Sequence, residues 1–252
     1  MQTAQSLPGA DEQPAPLAAD GESPAEIQAR SVSLLVSLFA LMVVGPWLNE
    51  RFPRLPIFEV LFSLVMLATI LRLSVTRRQT RLGLLLGIPT IACLWLSKYA
   101  DDTRVTQVAL ALLILFLLYS AVIILFYVMR EAMVTANTLS AAFAVFLLIG
   151  FGWACIYGLQ YLDSPAAFRL AEVAPGTIES GITPGVPMGI LIYYSFITLT
   201  TVGYGDVAPV SAMARSMTAL EAVLGHFYLA VLIGRLVGLS VAHIEISRRN
   251  GA

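Results

Sequence analysis

The residues best placed to do chemistry lie between Thr198 and Asp206, which read TLTTVGYGD. The stretch holds no nucleophile beside a base and no metal-ligand spacing. Its chemistry belongs to the backbone. Glycine takes conformations closed to other residues, so Gly203 and Gly205, alternating with Val202 and Tyr204, let successive main-chain carbonyls turn to one side. Such a row of oxygens is a set of acceptors for a cation that has shed its water. Thr201 can add a hydroxyl at one end, and Asp206 closes the stretch with a carboxylate.

Other reactive groups are sparse. Cys93 and Cys155 fall inside apolar runs and read as small buried hydrophobes rather than a disulfide. There is no CxxC or HExxH, and both histidines, His226 and His243, sit in the last apolar segment. No convergent set of nucleophile, base and metal ligand is present. The expectation is therefore no enzyme and no cofactor, with a membrane enzyme or sensor kept as the remote alternative.

The elements that must hold the glycine stretch are apolar. Of 252 residues, 58% are hydrophobic and 12% charged, and the mean hydropathy is +0.82. Soluble domains carry about 25% charged residues, so the class is an all-α membrane protein. The net charge of -1, with no basic cluster larger than Arg77, Arg78 and Arg81, gives no reason to expect a nucleic-acid partner. Residues 1–30 stand apart, with Pro8, Pro14, Pro16 and Pro24, five acids and Arg30 as the one base. Such a segment buries too little apolar area to order itself and lacks the basic start of a secretory signal. It is expected to be a disordered cytoplasmic tail.

A crossing helix needs about 20 apolar residues. Five or six segments qualify: Ser31–Leu48, closed by Pro46; Ile57–Val75; Leu82–Leu96, short and containing Gly83, Gly87 and Pro89; Val105–Met129; Leu139–Tyr161; and Ser211–His243, longer than one bilayer. Leu162–Pro187 reads as a loop. Met188–Thr200 is apolar but too short to cross, and irregular backbone follows it. That order suggests a re-entrant loop between helices five and six, a half-helix entering and an extended segment leaving. Such backbone is tolerated at membrane depth only where it lines a cavity or is buried in protein.

Basic residues set the orientation. With the N-terminus inside, the inner loops hold Arg72, Arg77, Arg78 and Arg81, then Arg130, then Arg248 and Arg249. Outer Arg51, Arg54, Lys98, Arg104, Arg169 and Arg215 are offset by Glu50, Asp101, Asp102, Asp163, Glu172, Glu179 and Asp206. The bias puts both termini in the cytoplasm and the re-entrant loop on the outer side of a cell membrane.

TLTTVGYGD resembles the signature of the tetrameric potassium channels. The likeness continues through Pro209, Arg215 and the run LEAVLGHFYLAVLIGRLVG, where Gly225 stands at the family's inner-helix hinge. It covers about Leu139–His243. The first four segments match the six-helix layout in number and order only. The resemblance implies a homotetramer, each copy supplying a quarter of a ring, with potassium coordinated at Thr201, Val202, Gly203 and Tyr204 and the filter continuing to Gly205. Transporters of the related superfamily carry four such loops in one chain and usually one filter glycine each. One loop with both glycines favours a channel. A weakly selective cation channel is the alternative if the loop fails to hold its geometry.

Thr200, Asp206, Tyr193 and Tyr194 are expected to support the filter. Asp206 either anchors the loop to one of those tyrosines or merely adds negative potential at the mouth. Some family members place a carboxylic acid where this chain has Ile197, so a carboxyl pair at that point is missing here. By helical spacing Ala222, His226, Leu229, Ile233 and Val237 share a face, which the resemblance assigns to the cavity, with Gly225, His226, Leu229 and Ile233 as cavity or gate positions. His226 is then either a titratable ring below the filter or a neutral side chain bonded to a neighbouring helix. Glu59, Glu221 and Arg235 are intramembrane charges whose partners the sequence does not name. Glu221 is placed to reach the pore helix or gate, and Arg235 to snorkel to the inner interface.

No arginine lies between Arg104 and Arg130, so a voltage sensor is not expected. Nine residues follow His243, too few for a ligand-binding gating domain in this chain. The expected organisation is a tail over 1–30, four helices over 31–130, a pore domain over 138–244 and a short tail over 245–252.

Overall fold

The computed structural model describes residues 24–52, 55–72, 77–100, 102–131, 135–170 and 186–250. The chain is an all-α membrane protein. Helix α1 (Pro24–Phe39) runs through a π turn (Ala40–Val44) into α2 (Gly45–Arg51). Then come α3 (Ile57–Arg72), α4 (Arg77–Tyr99), α5 (Thr103–Arg130) and α6 (Ala136–Asp163). The short strand β1 (Phe168–Leu170), the half-length helix α7 (Met188–Leu199), strand β2 (Val207–Pro209) and the long α8 (Ala212–Asn250) complete the order.

Local chemistry sets several boundaries. Asp102 caps α5 by accepting from the Arg104 N–H at 2.8 Å, and Thr135 caps α6 through the Thr138 N–H at 3.2 Å. Ser211 does the same for α8 through the Ala214 N–H at 3.1 Å. Pro46, expected to close the first segment, does not. A proline ring inside an α-helix presses on the carbonyl four residues back and removes a donor. Here the preceding π turn adds one residue to the spiral, and the helix continues to Arg51.

Helix α6 is the hub. It packs against α1, α5, α7 and α8, while α3 and α4 close the far side through α1 and α5. Within a membrane, helices associate by close fit rather than by escape from water. Gly150 of α6 shows this: a Cβ there would lie 2.7 Å from the Phe196 ring of α7. The bare glycine lets Phe196 meet the Phe151 ring edge-on, with centroids 5.3 Å apart. In contrast to α6, α8 leaves most of its apolar surface uncovered within the single chain.

Five helices are long and apolar enough to cross a bilayer, over Val32–Asn49, Arg78–Tyr99, Thr103–Arg130, Ala136–Asp163 and Ala212–Leu239. The second expected crossing is the short one. Its described helix, Ile57–Arg72, has 16 residues, and positions 73–75 of the expected span lie outside the described residues. The third, expected to be short, is instead a 23-residue helix that carries Pro89 inside it. Polar residues at both ends, from Arg77 to Thr80 and from Ser97 to Tyr99, extend it beyond its apolar run. Helix α1 begins at Pro24, inside the expected tail, and α8 runs through the expected C-terminal tail to Asn250. The rest of the N-terminal tail, 1–23, lies outside the described residues.

One feature beside the glycine stretch has no sequence signal. β1 and β2 pair antiparallel, with Phe168 opposite Pro209 and Leu170 opposite Val207. The Val210 N–H adds a bond to the Ala167 carbonyl at 2.8 Å. The segment leaving α6 is thereby fastened to the segment leaving the glycine stretch.

Candidate functional site

The site is built on α7. Three consecutive residues of this helix point about 100° apart and reach partners in three different elements. Tyr193 Oη donates to Asp206 Oδ2 at 2.7 Å. Tyr194 Oη and Thr218 Oγ1 of α8 share a bond of 2.6 Å. Ser195 Oγ lies 2.8 Å from the Gly150 carbonyl of α6 and 2.5 Å from Glu221 Oε1 of α8. The helix is held on the exit loop, on α6 and on α8 at one level. Behind it the Tyr194 ring packs on Tyr157 and Phe168, with centroids 5.1 and 5.7 Å away.

The C-terminus of α7 launches the glycine stretch. Thr200 Oγ1 turns back to the Phe196 carbonyl at 2.6 Å. The Ile197 carbonyl accepts from both the Val202 and the Gly203 N–H, at 2.8 and 3.1 Å. The chain then takes positive φ at every second residue: 60° at Thr201, 53° at Gly203 and 80° at Gly205. Glycine holds this region without cost. Thr201, with a branched Cβ, holds it against its own preference. Among the described residues no protein donor reaches the main-chain oxygens of residues 201–205. The Tyr204 side chain is 73% exposed on the single chain.

Asp206 is an anchored carboxylate. Besides Tyr193 it accepts from the Val207 N–H at 3.0 Å through Oδ1, immediately before β2. The bond to Asp206 pushes the Tyr193 hydroxyl up to about 12, so Tyr193, on a helix too short to cross, stays a donor. Tyr194, the other tyrosine considered for Asp206, is committed to Thr218 instead. Pro209 and Arg215 are joined by a bond of 3.3 Å from Arg215 Nε to the Pro209 carbonyl.

Gly225 has a packing reason. A Cβ at this position would sit 2.4 Å from the Leu199 carbonyl oxygen and 2.8 Å from Leu199 Cδ1. The α8 backbone touches the last turn of α7 there, and α8 runs unbroken past it. His226, Leu229 and Ile233 lie on exposed faces of α8, and His226 makes no described hydrogen bond within the chain. Tyr228 instead turns to α6, donating to the Ala142 carbonyl at 2.7 Å.

The three intramembrane charges have partners that the sequence did not name. Glu221 is buried between Ser195 and Tyr157, whose hydroxyl donates to Oε2. Glu59 is buried with Lys98 Nζ 3.9 Å away. Arg235, expected to snorkel, donates from Nη2 to the Glu131 carbonyl at 2.7 Å, just past the end of α5. Tyr157 and Ser195 were missed as site residues. Their signal was hydroxyls in otherwise apolar helices, which in a membrane need partners.

Residues 176–240 match the model of a family described as Ion channel. The chain is 29% identical over 84 residues to "Two pore potassium channel c" of Oryza sativa subsp. japonica, a match covering 33% of this chain and 18% of the relative. It is 35% identical over 71 residues to "Inward rectifier potassium channel Kirbac3.1" of Paramagnetospirillum magnetotacticum, covering 28% of this chain and 24% of that one. The matches thus span about a quarter or less of these relatives. No solved structure matches. The family match over residues 176–240 takes in α7, the glycine stretch, β2 and most of α8, and over that stretch the chain is similar to the ion-channel family.

Proposed function

We propose that four copies of this chain surround a common axis and conduct potassium ions passively across a cell membrane, with both termini in the cytoplasm. The observation that carries the reading is the run from Thr201 to Gly205. Its main-chain oxygens have no protein donor among the described residues, on a backbone whose φ turns positive at every second residue. Main-chain oxygens are obligatory acceptors. Alternating left- and right-handed residues aim successive carbonyls to one side, and four such strands stack them in rings. A potassium ion exchanges its hydration shell for those rings.

One copy cannot do this. Irregular backbone with exposed oxygens is tolerated at membrane depth only around a polar passage, and a closed ring is how identical copies enclose one. The uncovered apolar faces of α8 then meet neighbouring copies and lipid. Thr201 adds a hydroxyl ring at the inner end. The C-terminal end of α7 carries about half a negative charge, and four such ends below the filter favour a cation in the cavity.

Potassium flux into liposomes holding the purified protein tests this. Wild-type protein is expected to pass potassium well ahead of sodium. Gly203→Ala puts a Cβ on a residue at φ 53°, which costs about 1–2 kcal/mol, and is expected to lower the preference by about tenfold. Sodium entering as readily as potassium in the wild type would end the proposal.

A further inference from the structure

The buried carboxyl of Glu221 sits in a hydrogen-bond set whose protons can be counted. The Tyr157 hydroxyl donates to Oε2. Ser195 Oγ is 2.5 Å from Oε1 and 2.8 Å from the Gly150 carbonyl oxygen. A serine hydroxyl has one proton, and an ionised carboxylate only accepts. With Glu221 ionised, Ser195 would face two acceptors with one proton, leaving a buried oxygen pair unbridged, an expensive arrangement. With Glu221 protonated the count closes: Oε1–H donates to Ser195, Ser195 donates to Gly150, and Tyr157 donates to Oε2.

The surroundings offer no countercharge. Among the described residues Glu221 forms no salt bridge, unlike Glu59, which has Lys98 within 4.0 Å. The Tyr194 hydroxyl donates to Thr218 Oγ1 at 2.6 Å, and Thr218 donates onward to the Ala214 carbonyl at 2.8 Å. The Phe168 ring, packed on Tyr157 and Tyr194, adds only an apolar wall.

We propose that Glu221 acts as a neutral carboxylic acid and is a positioning residue for the filter. It passes a single donor chain from α8 through Ser195 of α7 to the main chain of α6. This fixes the helix from which residues 201–205 depart. Its effect on conduction rests on the channel reading above; its protonation does not.

Infrared difference spectra of purified wild type against Glu221→Gln isolate this one carboxyl, since Glu59 is common to both. The expected result is a protonated-carboxyl C=O stretch at neutral pH that is lost in Glu221→Gln and shifted in Ser195→Ala. No such band in the wild type overturns the proposal. In reversal-potential measurements Glu221→Gln, whose amide donates to Ser195 and accepts from Tyr157, is expected to keep the wild-type preference for potassium. Glu221→Ala is expected to lose about tenfold, because buried hydroxyls lose their partner. A Gln variant that loses the preference also overturns it. Wild-type protein that passes no potassium would sink the channel reading, while the infrared band would still decide this one.

Discussion

Tyr193 Oη donates to Asp206 Oδ2 at 2.7 Å, joining the middle of the half-length helix to the residue that ends the glycine stretch. The bond spans the loop like a strut, since Tyr193 and Asp206 flank residues 201–205 in sequence.

Removing either end should loosen the loop by a modest amount. The pair is exposed on the single chain, and water weakens such bonds to about 1 kcal/mol or less. Tyr193→Phe and Asp206→Asn are each expected to lower the potassium-to-sodium permeability ratio a few-fold without abolishing flux. Reversal potentials in mixed salts check this, and unchanged ratios in both variants would deny the strut any role.

Gly225→Ala is expected to destabilise the protein, because the new methyl would stand 2.4 Å from the Leu199 carbonyl oxygen. Overpacking of this kind costs about 1–3 kcal/mol. Thermal unfolding in detergent reads the cost. Gly234→Ala is the control, since nothing lies within 4 Å of a Cβ there. If the two variants melt alike, the close approach of α8 to α7 is not the reason for Gly225.

On the proposed channel function, voltage should gate conduction weakly. Each charge carried through the field contributes about 2.3 kcal/mol per 100 mV, and α5 has its basic residues only at Arg104 and Arg130, near its ends. Conductance measured over a range of potentials is expected to change gradually. A several-fold rise across a few millivolts would contradict this.

The sequence was most informative where function depends on backbone freedom. Gly203 and Gly205 announce positive φ by residue type alone, and the structure has positive φ at both. The half-helix was legible from its length: Met188–Thr200 was expected, and α7 spans Met188–Leu199. Local rules failed where a longer-range feature overrode them. Pro46 reads as a helix end, and only the π turn before it explains why the helix goes on. β1 has three residues, too few to show a period, and its partner is some forty positions away. The partners of Glu221 are 64 and 26 residues distant. A charge in an apolar run tells that a partner is needed, but folding decides which one.

The bond from Arg235 to the Glu131 carbonyl ties the last helix to the chain leaving α5. Its acceptor is main chain, so any residue at 131 can supply it, and exchanging Glu131 for a neutral side chain leaves the tie intact. Its donor is one guanidinium, and exchanging Arg235 for an aliphatic residue cuts the tie. This one tie between α8 and the end of α5 is thus insured on one side and vulnerable on the other.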